Sequence, residues 1–187
     1  PRRTDTAEAA DLFLPLQPGT DVMLFNGLLH IMLWEGWTDA RYIAAHTTGF
    51  DDLKALVRDC TPDLVAQTCG LKKEDLFAAA RWFATGGSGD PSRRAATLSL
   101  YCQGLNQSSS GTAKNAALIN LHLATGQIGR PGAGPFSLTG QPNAMGGREV
   151  GGLANLLSAH RDMANPEHRA EVAALWGVPS VPDTPGK

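Results

Sequence analysis

Charge is scarce in this chain: Asp, Glu, Lys and Arg make up 18% of 187 residues, and the formal net charge is −2. That balance excludes general electrostatic attraction to nucleic acid or to anionic membranes. It also leaves little charge to solvate a free-standing domain, so much of the surface is expected to face other protein or a ligand. Cysteine is nearly as sparse. Cys60, Cys69 and Cys102 form no Cys-x-x-Cys and lie near no paired His, which excludes a zinc or iron–sulfur site built within this segment. Three thiols cannot all pair, which favours a reducing compartment, and all three read as small buried groups. No run reaches the ~20 apolar residues of a membrane span. The nearest, 22–37, is interrupted by Asn26, His30 and Glu35 and predicts a buried helix. An initiator Met and a signal-peptide pattern are also lacking, and 182–187 (Pro-Asp-Thr-Pro-Gly-Lys) has linker composition, so a piece of a longer polypeptide is expected.

What is present is an α/β pattern. Residues 11–16 form a short apolar, extended segment, with Pro15 arguing against a central strand. Pro18-Gly19 then breaks the chain, Thr20 can cap, and Asp21 opens the apolar run, complementing the helix dipole. Shorter helices follow. Thr61-Pro62-Asp63 is a start signal and Gly70 a stop, and 74–84 carries strong helix formers with Leu76, Phe77, Ala80 and Phe83 on one side. Composition shifts at 85–94 (Thr-Gly-Gly-Ser-Gly-Asp-Pro-Ser-Arg-Arg), which places a domain boundary near 92/93. Beyond it, 95–102 reads as a buried strand, 103–110 as a polar loop and 111–125 as a helix with Leu118, Leu121 and His122 near one face. The glycine-rich 126–152 reads as a long structured loop without regular helix or strand. Helices near 153–160 and over 166–176 finish the chain. Exposed apolar surface is expected at 22–37 and 126–152, where covering layers are missing.

Three constellations could carry chemistry. At Pro18-Gly19-Thr20-Asp21, a carboxylate at a glycine turn can accept two hydrogen bonds from the amide and amine edge of a guanine; the bland alternative is an ordinary helix start. Gln103-Gly104-Leu105-Asn106-Gln107, then Ser108-Ser109-Ser110-Gly111, runs from a strand into a helix, where α/β proteins place ligands. Amide side chains there suit a heterocycle with donors and acceptors on its edge, although a polar loop with local turns fits equally well. No Lys precedes Ser110-Gly111-Thr112 in the manner of a phosphate loop, so that motif is rejected. In Thr139–Glu149, Arg148 sits among glycines and can offer its planar fork to a small planar oxyanion, or else brace the loop by pairing with Glu149. Read from the residues alone, this is an α/β protein for a polar, nucleotide-like ligand.

At these residues the chain resembles a known family. Pro-Arg-Arg-Thr-x-Thr-Ala-x-x-Ala-Asp (1–11) with Pro-Gly-Thr-Asp (18–21) resembles the guanosine-binding half of the molybdopterin-guanine-dinucleotide oxidoreductases. Leu-Ala-Thr-Gly-Gln-Ile-Gly-Arg-Pro-Gly-Ala-Gly-Pro (123–135) and Thr-Gly-Gln-Pro-Asn-Ala-Met-Gly-Gly-Arg-Glu-Val-Gly (139–151) resemble their central domain. Within the family, Gly-Leu-Asn-Gln-Ser-Ser-Ser-Gly-Thr-Ala-Lys-Asn (104–115) and Asn-Leu-Leu-Ser-Ala-His-Arg-Asp-Met-Ala-Asn-Pro (155–166) are similar to the catalytic subunits of bacterial assimilatory nitrate reductases. The resemblance covers essentially the whole chain.

It implies a Rossmann-like parallel-sheet layer ending near residue 92 and part of a second α/β domain over 93–187. The implied cofactors are a molybdenum-bis(molybdopterin guanine dinucleotide) centre and a 4Fe-4S cluster, whose ligands would lie outside this segment. Nitrate is the implied substrate, with an electron-donor protein or reductase subunit as partner and a cytoplasmic setting. By resemblance, Gly19, Thr20 and Asp21 bind a guanosine end with help from Arg2. Gln103 and Gln107 approach the pterin, Gln103 facing the metal environment, and Arg148 attracts and orients nitrate. Formate dehydrogenases share the fold but carry Asp rather than Arg near position 148. The large iron–sulfur subunit of respiratory NADH dehydrogenase offers a non-catalytic version; Gly19, Thr20, Asp21, Gln107 and Arg148, all present, count against it.

Overall fold

A computed structural model describes residues 2–90, 92–151 and 156–185. The chain divides into two compact units, Pro1–Leu138 and Thr139–Lys187.

The first unit is built around one helix. α1 (Asp5–Glu8) is a single turn, and an extended segment leads from it to α2 (Asp21–Trp34). Leu24, Leu28, Leu29, Ile31 and Met32 of α2 are buried, so apolar side chains point in nearly every direction. Such a helix is stable only inside a shell of partners. The shell comprises α4 (Phe50–Val57), α5 (Pro62–Cys69), α6 (Lys73–Thr85) and α8 (Gly111–Ala124), while α3 (Ala40–His46) packs on α8. The expected bare surface at 22–37 is therefore covered except at Trp34, which is 50% exposed. Contact with α5 is close because Gly27 faces it: a Cβ there would stand 2.5 Å from a Val65 methyl. His30 is buried, stacked on Trp34 at 4.2 Å, with its Nδ1 bonded to the Val57 carbonyl at 3.0 Å.

The helix signals read from sequence hold at α5. Thr61 Oγ1 accepts from the Leu64 amide and Gly70 ends the helix at φ 67°. Thr20 behaves differently from expectation. Its hydroxyl donates to the Gln17 carbonyl at 2.7 Å instead of capping α2, because the turn before the helix folds back on itself.

β1 (Leu98–Tyr101) and β2 (Gly134–Ser137) pair in parallel, joined through α7 (Gln103–Asn106) and α8. This is a β–α–β unit, the mixed helix-and-sheet class expected. Three details differ from the sequence reading. The strand is not buried: α8 covers one face through Ser99, while Leu98, Leu100, Phe136 and Leu138 stand 44–59% exposed. Residues 103–106 close a helical turn, since the Gln107 amide can donate to the Gln103 carbonyl at 2.9 Å. The glycine-rich 126–152 contains β2 and α9 (Ala144–Glu149), because the parallel ladder and an α-turn satisfy its amides despite poor intrinsic propensity.

Cys69 is buried, Cys60 half-buried and Cys102 exposed, so a buried thiol was the wrong reading for Cys102. It follows β1, at the end of the strand where the polypeptide turns into α7. The first compact unit continues through Leu138, because α8 packs on α2 and α3, which precede the composition break, and β2 packs on α8.

In the second unit, β3 (Leu156–Leu157) and β4 (Arg161–Asp162) form an antiparallel hairpin through a tight turn at Ser158–His160, and α10 (Pro166–Trp176) packs on β4. The helix expected near 153–160 is thus replaced over 156–160 by a strand and turn, with Ala159 and His160 at positive φ; 152–155 lie outside the described residues. α10 starts at Asn165, whose side chain caps Glu167 at 2.9 Å, and ends at Gly177. Leu157, Met163 and Val172 form its small core, and Arg161 meets Glu171 through two 2.7 Å bonds.

The junction of α7 and α8 yields a prediction. A Cβ on Gly111 would sit 2.4 Å from the Asn106 carbonyl oxygen, so backbone must move to admit one. Gly111→Ala is expected to cost about 1–3 kcal/mol, the range for overpacking. Urea unfolding checks it, and an unchanged midpoint would mean the two helices approach less closely.

Candidate functional site

Asp21 and the 103–114 segment are far apart in sequence but adjacent in the fold. Residues 17–20 form a turn stapled to the end of α5: the Gln17 amide bonds the Cys69 carbonyl at 2.9 Å, and the Thr20 amide bonds the Gln17 carbonyl at 3.2 Å. Gly19 makes the turn possible with φ 85°, a conformation side chains disfavour, and open space lies where its Cβ would be. Asp21 follows as the first residue of α2, where the helix dipole favours a carboxylate.

The partner of Asp21 comes from α8. Lys114 Nζ lies 3.8 Å from Asp21 Oδ2, with side chains 18% and 35% exposed respectively. Apart from this ion pair, the Asp21 carboxylate has no hydrogen bond from the described residues, and it remains free to accept from a ligand. Lys114 is the site residue that sequence reasoning missed. A signal existed: a cation in the first turn of a helix with no acidic residue there opposes the dipole, and such a placement asks for an explanation.

Gln103 begins α7, half-buried, and its Oε1 is in contact with Cys102 Sγ. Gln107 is exposed at the end of α7. Between Gln107 and α8, the Ser108 hydroxyl oxygen is buried with no hydrogen-bond partner among the described residues. Asn106 bonds Ser137 Oγ at 2.7 Å, fixing α7 to the end of β2. Arg2 is exposed and makes no hydrogen bond or ion pair among the described residues, so the structure does not join it to Asp21. Arg148 lies in the second unit, in the last turn of α9, exposed. Its guanidinium has no partner among the described residues. The brace to Glu149 is not formed; instead the Glu149 carbonyl meets His160 Nε2 at 2.7 Å.

Behind β1 stands His122 of α8, fully buried, with Nε2 2.7 Å from Ser99 Oγ and its ring tilted against Phe83 at 4.8 Å. Its Nδ1 has no partner among the described residues. A bare acceptor costs less than an orphaned N–H, so the favoured tautomer carries the proton on Nε2 and donates to Ser99. Burial pushes the pKa down from 6.5 to about 4. The folded pKa is thus below the unfolded value, and the unfolded chain binds the proton first. Stability from this group is complete above pH 6.5 and is lost as pH falls through 6.5 toward 4. Between pH 7.5 and 5 the expected loss is about 2 kcal/mol. His122→Gln should flatten that dependence in urea titrations at the two pH values, and an equal slope in both proteins would contradict the assignment.

The donor set fits a guanine-bearing ligand. It offers a carboxylate open to donors, a cation beside it and an unobstructed glycine turn. Among the described residues no three His, Cys, Asp or Glu side chains cluster as metal ligands, so these residues would hold the organic part of a cofactor.

Comparison with known proteins identifies the family. The molybdopterin oxidoreductase family model matches residues 1–183. A nitrate reductase from Synechocystis sp. is 47% identical, over 95% of this chain and 24% of its own. The assimilatory nitrate reductase catalytic subunit of Bacillus subtilis is 36% identical over 95% and 24%. An F420-dependent formate dehydrogenase subunit of Methanococcus maripaludis is 33% identical over 95% and 25%. Among solved structures, acetylene hydratase from Pelobacter acetylenicus superposes with a TM-score of 0.61 at 27% identity, over 70% of this chain and 17% of that one. The chain spans about a quarter of the length of the curated relatives it matches. With nearly its whole length matched by the family model, the chain belongs to the molybdopterin oxidoreductase family.

Proposed function

We propose that this chain is part of the catalytic subunit of a molybdenum-dependent nitrate reductase of the assimilatory type, reducing nitrate to nitrite. In that reading residues 1–92 end the guanosine-binding layer and 93–187 belong to the central domain. The cofactor would be molybdenum-bis(molybdopterin guanine dinucleotide), fed by a 4Fe-4S cluster and an electron-donor protein, with all metal ligands contributed from outside this segment. The assimilatory type also implies a cytoplasmic enzyme.

One observation carries the reading: Arg148 is an exposed guanidinium without a protein partner among the described residues, in a chain 47% identical to a nitrate reductase over 95% of its length. An Arg bracing a loop would spend its donors on carbonyls or carboxylates, as Arg161 does on Glu171. An unspent planar fork suits a planar oxyanion. Formate dehydrogenase remains the second reading on the strength of the 33% relative.

When bound, the molybdenum centre supplies the oxygen-accepting, two-electron chemistry. The protein's residues do the rest. Asp21 accepts from the N–H edge of guanine, and Gly19 and Thr20 let the base approach. Gln103 and Gln107 offer amide donors and acceptors to the pterin. Arg148 would attract nitrate and hold two of its oxygens through its planar fork.

The test is a substrate partition with the full-length polypeptide. Nitrate should oxidise a reduced viologen dye with stoichiometric nitrite, while formate should leave the oxidised dye unreduced. The reverse pattern would establish the formate reading instead.

A further inference from the structure

The Asp21–Lys114 pair is loose. At 3.8 Å it exceeds the ~2.7–2.9 Å of a direct charge-assisted hydrogen bond. A pair serving only to tie α2 to α8 would be expected to close, as Lys73–Asp63 does at 2.7 Å. Lys114 also sits in the first turn of α8, against the positive end of the dipole, where a cation is disfavoured unless something electron-rich approaches it. Both side chains are partly buried, which limits screening by salt.

The edge of guanine presents, in order, an acceptor at O6, a donor at N1 and a donor at the 2-amino group. A carboxylate alone reads the two donors and is indifferent to what stands at position 6. We propose that Lys114 is the second half of a guanine-reading pair: Asp21 accepts from N1–H and the 2-amino group while the Lys114 ammonium donates to O6. The inference rests on the assignment of Asp21 to guanine made above. It adds a specificity determinant: adenine, with an amino group at position 6, would set a donor against a donor. It also gives the first-turn lysine a reason to be where the helix alone would not favour it.

The experiment measures binding of GMP, IMP and the 6-thio analogue of GMP to cofactor-free full-length polypeptide. IMP lacks only the 2-amino group, and the 6-thio analogue weakens only the acceptor at position 6. The wild type should prefer GMP over both. Lys114→Met should weaken GMP roughly tenfold and erase the preference over the 6-thio analogue, while keeping the preference over IMP. Lys114→Arg should retain discrimination at position 6, showing that any loss in the Met variant is not misfolding. Asp21→Asn should erase the preference over IMP. If Asp21→Asn leaves all three affinities unchanged, the guanine assignment itself is wrong. If Asp21→Asn behaves as stated but Lys114→Met still discriminates against the 6-thio analogue, Lys114 is only a helix tie and the inference fails.

Discussion

Asp21→Ala in the full-length polypeptide should yield an enzyme that loses cofactor, not one that turns over slowly with its cofactor in place. The carboxylate stands at the positive end of α2 with no hydrogen bond from the described residues, so its acceptor capacity is available to a ligand. Hydrogen bonds to a charged group contribute about 1.5–3 kcal/mol, and losing them weakens retention of the guanosine end roughly 10- to 150-fold. The variant also leaves Lys114 without its counter-charge beside the vacated position. Molybdenum and pterin per polypeptide should therefore fall, while nitrate turnover per bound molybdenum stays close to wild type. A variant with full molybdenum and pterin would show that guanine is held elsewhere. Asp21→Asn is the informative companion, because the amide keeps size and one acceptor while adding a donor against the donors of the base.

Much of this site was legible as chemistry before it was legible as geometry. The glycine turn and the acid of 18–21 were visible as a turn and a helix start, with the guanine role supplied by the resemblance, and the structure gives Gly19 the positive φ the turn requires. Lys114 was not, although it stood within a quoted sequence pattern. Its meaning depends on the packing of α8 against α2, a contact between residues some ninety positions apart that no local periodicity encodes. The helical shell around α2 was readable because apolar residues on every side of a helix permit only burial. Glycine content misled at 126–152: propensity disfavours helix and strand there, yet pairing with β1 supplies the ladder bonds that make β2. The same long-range term was missed at 156–160, where the Leu-Leu pair read as helix but pairs with Arg161-Asp162 as a hairpin. β1 was identified as a strand, but its exposure was not foreseen. Leu98 and Leu100 face away from α8, and an apolar sequence does not say which side of a sheet is covered.

Arg148 carries the largest expected effect on the reaction itself. Nitrate is a planar anion of single charge, and the guanidinium offers two parallel N–H donors that match two of its oxygens. Lys would keep the charge while replacing the fork with a point donor, so Arg148→Lys should preserve attraction better than orientation and retain part of the activity. Arg148→Gln loses both. With about 2–3 kcal/mol of transition-state contact removed, kcat/KM for nitrate should fall roughly 30- to 150-fold. A loop-bracing role predicts instead that stability or cofactor content falls. The described residues show no ion pair to break, since Glu149 engages His160 only through its main-chain carbonyl. The most direct measurement is kcat/KM for nitrate per bound molybdenum in Arg148→Gln beside the wild type: the predicted result is a fall of roughly 30- to 150-fold at normal metal content, and an unchanged value would contradict the nitrate-receiving role on which the functional reading rests.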